Sequence, residues 1–290
     1  MTADGRRQVL AQDSPEKRDS HPAGFSTGGK AMVGIHGRHS TFYPRSGTGI
    51  VLSVLTTSQK MTPKEYRQKR FERPPGATEI LLVRHGESRA ATAENPFPLV
   101  DGHGDPELHP NGREQAVRVG ERLKTQPISA IYVSNLRRTS ETAAPLAAHL
   151  GLIPTIDPDL REVFLGEWEG GVLRIKAAEN HPLFQQMHAE QRWDVVPGAE
   201  SHAALTERLT RALRRIHQKH PDQLVAAFVH GGVVGHILAH ATGARPFAFN
   251  GCDNGSINHI VMTGEQILVR RFNDTTHLWE DISSVAGQMT

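Results

Sequence analysis

An uninterrupted apolar run, Ile80-Leu81-Leu82-Val83, stops abruptly at Arg84-His85-Gly86. A run that short, without polar alternation, predicts a strand buried on both faces. The same pattern recurs. Ile128 to Val133 predicts a strand running into Ser134-Asn135, and Leu224-Val-Ala-Ala-Phe-Val229 predicts another running into His230-Gly231-Gly232. Between them lie stretches of helical period. Ala116, Val119 and Leu123 form a stripe within 113–124, and Leu136, Ala143, Leu146 and Leu150 form another, with Ser134-Asn135 placed to cap it. A short strand is expected near 152–156, polar helices over 172–192 and 201–219, and an apolar helix from Val233 to His240. Ile257–Met262 and Ile267–Phe272 read as a closing hairpin around Thr263-Gly264.

Strands alternating with helices define an α/β fold, a three-layer sandwich with a mostly parallel sheet and helices on both faces. This domain is assigned to residues 78–290. Residues 1–77 lack periodicity and repeat Gly, Pro, Ser and charged residues, the composition of a basic, low-complexity, disordered tail. Met61 opens a polar leader and is an alternative translation start to Met1. The tail's Gly24-to-Ala31 segment approaches a P-loop, but Ala31 stands where a hydroxyl residue would hold Mg²⁺.

Charge sharpens the division. The first 75 residues carry 13 Lys and Arg against 6 Asp and Glu, and the remainder 20 against 25. The mildly acidic remainder does not have the charge of a nucleic-acid-binding surface. Apolar runs are too short to span a bilayer, and no apolar segment of a secretory signal follows Met1. The single cysteine, Cys252, excludes an intramolecular disulfide framework. A cytoplasmic protein with no membrane or nucleic-acid partner is expected.

Chemistry concentrates where the strands end. Parallel sheets bind ligands beyond the carboxyl ends of their strands. If the three strands are neighbours, His85 and His230 gather there with Arg84, Arg137 and Arg138. Such a cluster repels itself unless an anion occupies it, and guanidinium groups match phosphate oxygens. The pattern predicts a phosphate pocket containing imidazoles.

Four segments carry a family resemblance, in order: Arg84-His85-Gly86-Glu87-Ser88; Ser134-x-Leu136-x-Arg138-x-x-Glu141-Thr142-Ala143; Leu160-x-Glu162-x-x-x-Gly166-x-Trp168-Glu169-Gly170; and Val229-His230-Gly231. Together they resemble the histidine phosphatase (phosphoglycerate mutase-like) superfamily, over roughly residues 79–275. The resemblance implies that His85 is the nucleophile and Glu162 the general acid and base. It implies that Arg84, Arg138 and His230 clamp the phosphate, with Ser88 and the Gly231 amide as further donors. Arg137 is then left to solvent or the rim. No cofactor or metal is implied. The substrate is a small phosphorylated metabolite, and a homodimer is left open.

Two positions depart from the family pattern. Ala91 stands where members often place a phosphate-contacting Asn, so that donor must come from elsewhere, with Arg89 or a backbone amide as candidates. Thr139 follows Arg138 where Ala is usual. The acid motif, Glu162-Val-Phe-Leu-Gly166, resembles the phosphatase branch rather than the mutases, so phosphomonoester hydrolysis is expected over phosphoglycerate mutase-type transfer. A non-catalytic phospho-ligand-binding scaffold would not need His85. Elsewhere, His236 and His240 share a helical face at metal-ligand spacing, but core and helix-end roles are the simpler account. Asp101-Gly-His103-Gly-Asp105 could hold a cation, but reads more simply as a rim loop. Trp168, Trp193 and Phe97 could line the pocket mouth, although aromatic residues usually pack in cores.

Overall fold

The computed structural model describes residues 65–278. The expected disorder of the tail before residue 65, the P-loop-like segment and the Met61 start lie outside the described residues.

The strands are β1 (Thr78–Arg84), β2 (Leu99–Val100), β3 (His103–Gly104), β4 (Ile128–Val133), β5 (Thr155–Ile156), β6 (Leu224–Val229), β7 (Ile257–Thr263) and β8 (Gln266–Asp274). The helices are α1 (Pro110–Leu123), α2 (Arg137–Leu150), α3 (Val172–Ala178), α4 (Pro182–Glu190), α5 (His202–Lys219) and α6 (Gly231–Thr242). Six strands form one sheet in the order β5-β4-β6-β1-β7-β8, and β2 and β3 pair as a small separate hairpin. From β5 to β1 the pairs are parallel, whereas β7 and β8 are antiparallel additions beyond β1.

The apolar run of β1 explains its central place. Ile80 and Leu82 face a core shared with α5 and α6, and Leu81 and Val83 face a second core shared with α1 and α2. β6 behaves alike, with Val225, Ala227 and Val229 on the first side and Ala226 and Phe228 on the second. Each large aliphatic side chain taken out of water this way contributes about 1.5–3 kcal/mol. Two strands that are apolar on both faces therefore stabilise the molecule most when neither is at an edge. Among the described residues no helix is long and apolar enough to cross a membrane.

Several element ends differ from expectation for local reasons. Helix α2 is not capped by Ser134 or Asn135. Its first residue, Arg137, donates its backbone N–H to Asp105 Oδ1 at 2.8 Å, so the cap comes from the loop after β3. Helix α1 begins three residues early because Pro110 suits a first turn and His109 accepts from the Asn111 N–H. Helix α6 starts at Gly231, so both glycines after His230 lie in its first turn. The expected strand at 152–156 shrinks to Thr155–Ile156 at the sheet edge.

One close approach sets the exit from β1. A side chain at Gly86 would strike the Gly112 carbonyl, and one at Gly112 would strike the Glu87 backbone, with its amide nitrogen only 2.8 Å away. The chain leaving β1 thus lies directly against the first turn of α1. Gly112→Ala is expected to destabilise the fold by about 1–3 kcal/mol, as overpacking does. Urea denaturation at constant slope would measure it.

Candidate active site

His85 follows β1, and its main chain is bracketed from two sides. Its N–H donates to the Val229 carbonyl at 3.0 Å, and its carbonyl accepts from the Asn254 side-chain amide at 2.9 Å. The ring is buried, 4% exposed, and its Nδ1 lies 2.7 Å from the Gly86 carbonyl. A carbonyl can only accept, so Nδ1 carries the proton and Nε2 carries the lone pair. Arg138 Nε–H donates to that lone pair at 3.2 Å. Burial first, then the Arg138 and Arg84 charges, hold the His85 pKa well below its ordinary 6.5. The imidazole is therefore neutral across the physiological range.

The cations around His85 have few counter-charges. Arg138 sits in the first turn of α2, buried, donating to the Gly104 carbonyl at 2.8 Å, with Asp105 4.0 Å away. Arg84 donates to the Cys252 carbonyl, while its buried Nε has no partner. Its guanidinium lies over the start of α6: a side chain at Gly231 would come within 3.2 Å of Arg84 Nε. Both arginines thus stand at helix N-termini, where the backbone already presents positive partial charge. Arg174, from α3, joins them. It donates to Ser88 Oγ at 2.7 Å and to the Arg89 carbonyl at 2.9 Å. Burial and repulsion from Arg138 and Arg84 lower its pKa to about 10.

His230 is fully buried beside His85, with ring centroids 5.2 Å apart. Its Nε2 lies 2.9 Å from Ser134 Oγ, and its Nδ1 has no partner. Ser134 is thus occupied in orienting an imidazole and receives the Leu136 N–H at 3.2 Å, rather than capping the helix it precedes. The His230 pKa is also held well below 6.5, by burial foremost and then by Arg138 and His85.

Glu162 is placed by its backbone. Its carbonyl accepts from the buried guanidinium of Arg208 at 2.9 Å. The other Arg208 donors reach the Asp159 and Arg161 carbonyls at 2.7 and 2.8 Å and both carboxylate oxygens of Glu200 at 2.7 and 2.8 Å. All five N–H groups of Arg208 are satisfied. The Glu162 carboxylate accepts from the Val163 amide at 2.9 Å and the Gly232 amide at 3.3 Å. Any side chain at Gly232 would reach within 2.7 Å of Glu162 Oε1. Hence the paired glycines: Gly231 leaves room for Arg84 and Gly232 for Glu162.

Arg84, His85, Arg138, Glu162 and Gly231 line one cavity of about 480 Å³. His230, fully buried next to His85, is not part of that lining, and Ser88 opens into an adjoining cavity of about 610 Å³ that Ala91 also lines. Arg84 and Arg174 line both. Arg89 does not fill the place of the missing Asn. Its side chain turns to the Asn95 carbonyl at 3.3 Å and stacks over Phe97. Arg174 lines the cavity that Ala91 also borders, beside Ser88. Sequence reasoning missed it, because an Arg in a polar helical stretch looks like surface. It also missed Asn254, Arg208 and the Cys252 carbonyl, which act on the site from distant loops. Arg137 turns outward to Glu141, Nε–Oε1 2.8 Å. Phe97, Trp168 and Trp193 all line the His85 cavity, as does His103 from the rim loop. His236 is a buried core residue bonded to Thr206 at 2.8 Å, and His240 is exposed at the end of its helix.

A neutral imidazole beyond the end of β1 thus lies among three arginines, with Asp105 4.0 Å from Arg138 the nearest carboxylate to that guanidinium. Residues 80–275 match the family model of the histidine phosphatase superfamily (branch 1), and the chain belongs to that superfamily. It is 38% identical over 209 residues to phosphoglycerate mutase-like protein 4 of Arabidopsis thaliana, covering 70% of this chain and 87% of that one. It is 28% identical over 204 residues to phosphoserine phosphatase 1 of Hydrogenobacter thermophilus, covering 69% and 94%. Among solved structures, Bacillus stearothermophilus YhfR superposes with a TM-score of 0.59 at 27% identity, over 70% of this chain and all (100%) of that one. A mycobacterial glucosyl-3-phosphoglycerate phosphatase superposes at 0.57 with 26% identity, over 68% and 99%.

The buried histidines make stability acid-sensitive. His103 is pushed to about 4 and His236 to about 3, each mainly by burial, and His85 and His230 are also lowered. Below the ordinary pKa of 6.5 the unfolded chain binds protons that the folded chain refuses. Stability is therefore full above about pH 6.5 and falls with pH until each folded pKa is passed, with a slope of about 1.4 kcal/mol per pH unit for each such histidine. Tm is expected to drop steadily between about pH 6.5 and 4.5. Calorimetry across that range would detect it, and a flat profile would contradict the neutral histidines.

Proposed function

We propose that the protein hydrolyses phosphomonoesters through a phosphohistidine on His85. The observation that carries this reading is the tautomer: Nδ1–H is committed to the Gly86 carbonyl, and Nε2, with its lone pair, lies beside Arg138 in the cavity. The substrate phosphorus would approach Nε2 while Arg138 transfers its N–H from that nitrogen to a phosphate oxygen. Arg84, Arg138, Arg174 and the Gly231 amide surround the place where the equatorial oxygens would lie, and His230 Nδ1 adds a buried group without a partner. In phosphoryl transfer most of the protein's contribution is such positioning and charge stabilisation.

As the Nε2–P bond forms, the ester P–O bond breaks and Glu162 gives its proton to the departing oxygen. Water then attacks phosphorus, Glu162 takes a water proton, and the P–Nε2 bond breaks to release inorganic phosphate. The ring returns neutral, still protonated at Nδ1. The Val163 and Gly232 amides hold the Glu162 carboxylate in the cavity, which puts it within reach of the departing oxygen and then of the attacking water. Phosphoryl transfer between positions of a phosphoglycerate is the second reading, supported by relatives named phosphoglycerate mutase-like protein 4 and probable phosphoglycerate mutase GpmB.

Rapid acid-free quenching with a ³²P-labelled ester is expected to trap base-stable, acid-labile label on the native protein and none on His85→Ala, whose turnover should fall by about 10⁴-fold or more. Net phosphate release identifies hydrolysis, whereas positional exchange without release identifies a mutase. Glu162→Gln should slow alkyl esters far more than nitrophenyl esters, since only the former need a proton.

Arg174→Met is expected to reduce kcat/KM by about 10²-fold, the usual loss for one donor to a charged transition state. Arg174→Lys should recover part of it. Equal loss in both variants, or loss confined to Tm, would remove Arg174 from the clamp.

A further inference from the structure

The His85 cavity has two chemically distinct ends. The arginines, Glu162 and the start of α6 form the polar end. The other end is built from Trp168, Leu173, Phe184, Met187, Trp193 and Phe247. These side chains belong to a third apolar cluster, separate from the two that sandwich the sheet and formed largely by α3, α4 and the turns around them. Trp193 and Phe247 meet with ring centroids 4.8 Å apart, and Phe184 lies 4.5 Å from the His188 ring. The wall is thus a packed aromatic surface facing the space a leaving group would occupy.

The lining leaves a second charged or hydroxyl-rich group of the substrate without partners. It contains no Lys, Ser, Thr or Gln, and Asn250 is its one uncharged amide side chain. Arg84, Arg138 and Arg174 all belong to the phosphate end, where the proposed clamp uses them. Burial keeps His103 neutral, at a pKa of about 4, and lowers that of His188 where it rests against Phe184 and Phe247. The carboxylates present, Glu162 and Glu169, would repel a substrate carboxylate. Both Glu169 oxygens are already occupied by the Gly104 and Leu165 amides, at 2.7 and 2.9 Å. Burying a carboxylate or several hydroxyls against this wall costs their hydration with no return, whereas an apolar group gains from the same transfer.

We infer that the substrate is a phosphomonoester of an apolar, aryl- or long-alkyl-bearing alcohol, and not a phosphorylated hydroxy acid, amino acid or sugar. This inference rests on the proposed phosphomonoesterase reading and adds the chemical class of the leaving group. Discrimination comes from both directions. Each methylene that reaches the aromatic wall is worth on the order of tenfold in kcat/KM, and a carboxylate that finds no cation loses at least as much again.

The test compares esters whose leaving alcohols have similar basicity, so that chemistry is matched and binding differs. Phosphate release by the full chain is measured with 3-phenylpropyl phosphate and n-octyl phosphate against O-phosphoserine, 3-phosphoglycerate and glucose 6-phosphate. The expected result is kcat/KM for the apolar pair at least about 10²-fold above the other three. Equal or faster turnover of phosphoserine, 3-phosphoglycerate or the sugar phosphate would overturn the inference while leaving phosphomonoester hydrolysis standing. Phe184→Arg places a cation in the wall and is expected to move the ratio of phenylpropyl phosphate to phosphoserine by tenfold or more towards phosphoserine. An unmoved ratio in a folded variant would also count against it. Calorimetric binding to the native chain separates the two layers. Tighter binding of 3-phenylpropylphosphonate than of phosphoserine with no turnover of any ester would sink the hydrolase reading and retain the ligand class. Binding of the phosphonate no tighter than of phosphoserine would sink the class itself.

Discussion

Positive charge held in place without enough negative charge to balance it is the constraint on which this molecule's site depends. Two helices begin at the same ends of the parallel strands; Arg138 lies in the first turn of α2, and Arg84, from β1, lies against the first residue of α6. Left alone, the arrangement is unfavourable: burial foremost, and then repulsion from Arg138 and Arg84, lower the Arg174 pKa to about 10. The two-sided core beneath β1 and β6 offsets it, since those strands cannot shift to relieve repulsion without exposing one apolar face. Packing energy thereby holds the cations together. Burial first, and the neighbouring arginines second, keep His85 and His230 neutral.

The supporting contacts come from far along the chain. The Arg84 guanidinium depends on the Cys252 carbonyl, the His85 carbonyl on Asn254, and the His230 ring on Ser134. Each closes a loop through the strand end rather than along it. Substituting Asn254 or Ser134, which act through their side chains, changes the aim of a site residue without touching the residue itself. The aromatic end of the cavity is organised differently. It rests on short helices with their own small core, outside the sheet's two clusters. That separation lets the leaving-group end vary while the phosphate end is kept by the fold.

Sequence reading succeeded wherever a residue's role was set by its immediate neighbours. The runs at Ile80–Val83, Ile128–Val133 and Leu224–Val229 marked buried strands, because no polar residue interrupts them and no other element so short hides both faces. The motifs after them placed Arg84, His85, Arg138, Glu162 and Gly231 in one cavity. Where a role depends on a distant partner, the chain gave a wrong cue or none. Ser134 looks like a helix cap, but Asp105, from a loop more than twenty residues earlier, holds that amide instead. Arg174 looks like a surface residue of a polar helix, and only the packing of α3 over Ser88 reveals that its guanidinium is half-buried in the cavity. Arg89, adjacent to the motif, was the natural substitute for the missing Asn, yet Phe97 and the Asn95 carbonyl draw it away.

Arg208 shows what such division of labour permits. Every hydrogen it can donate is spent on three consecutive-turn carbonyls and one carboxylate, so it holds the Glu162 segment without touching the Glu162 carboxylate. The path of the backbone at that residue and the contacts of its carboxylate are consequently set independently. In a lineage of related proteins, the first could be inherited unchanged through the guanidinium while the second varied with whatever lies against the carboxylate. A lysine at 208 would break that independence, because a single ammonium cannot occupy five acceptors at once.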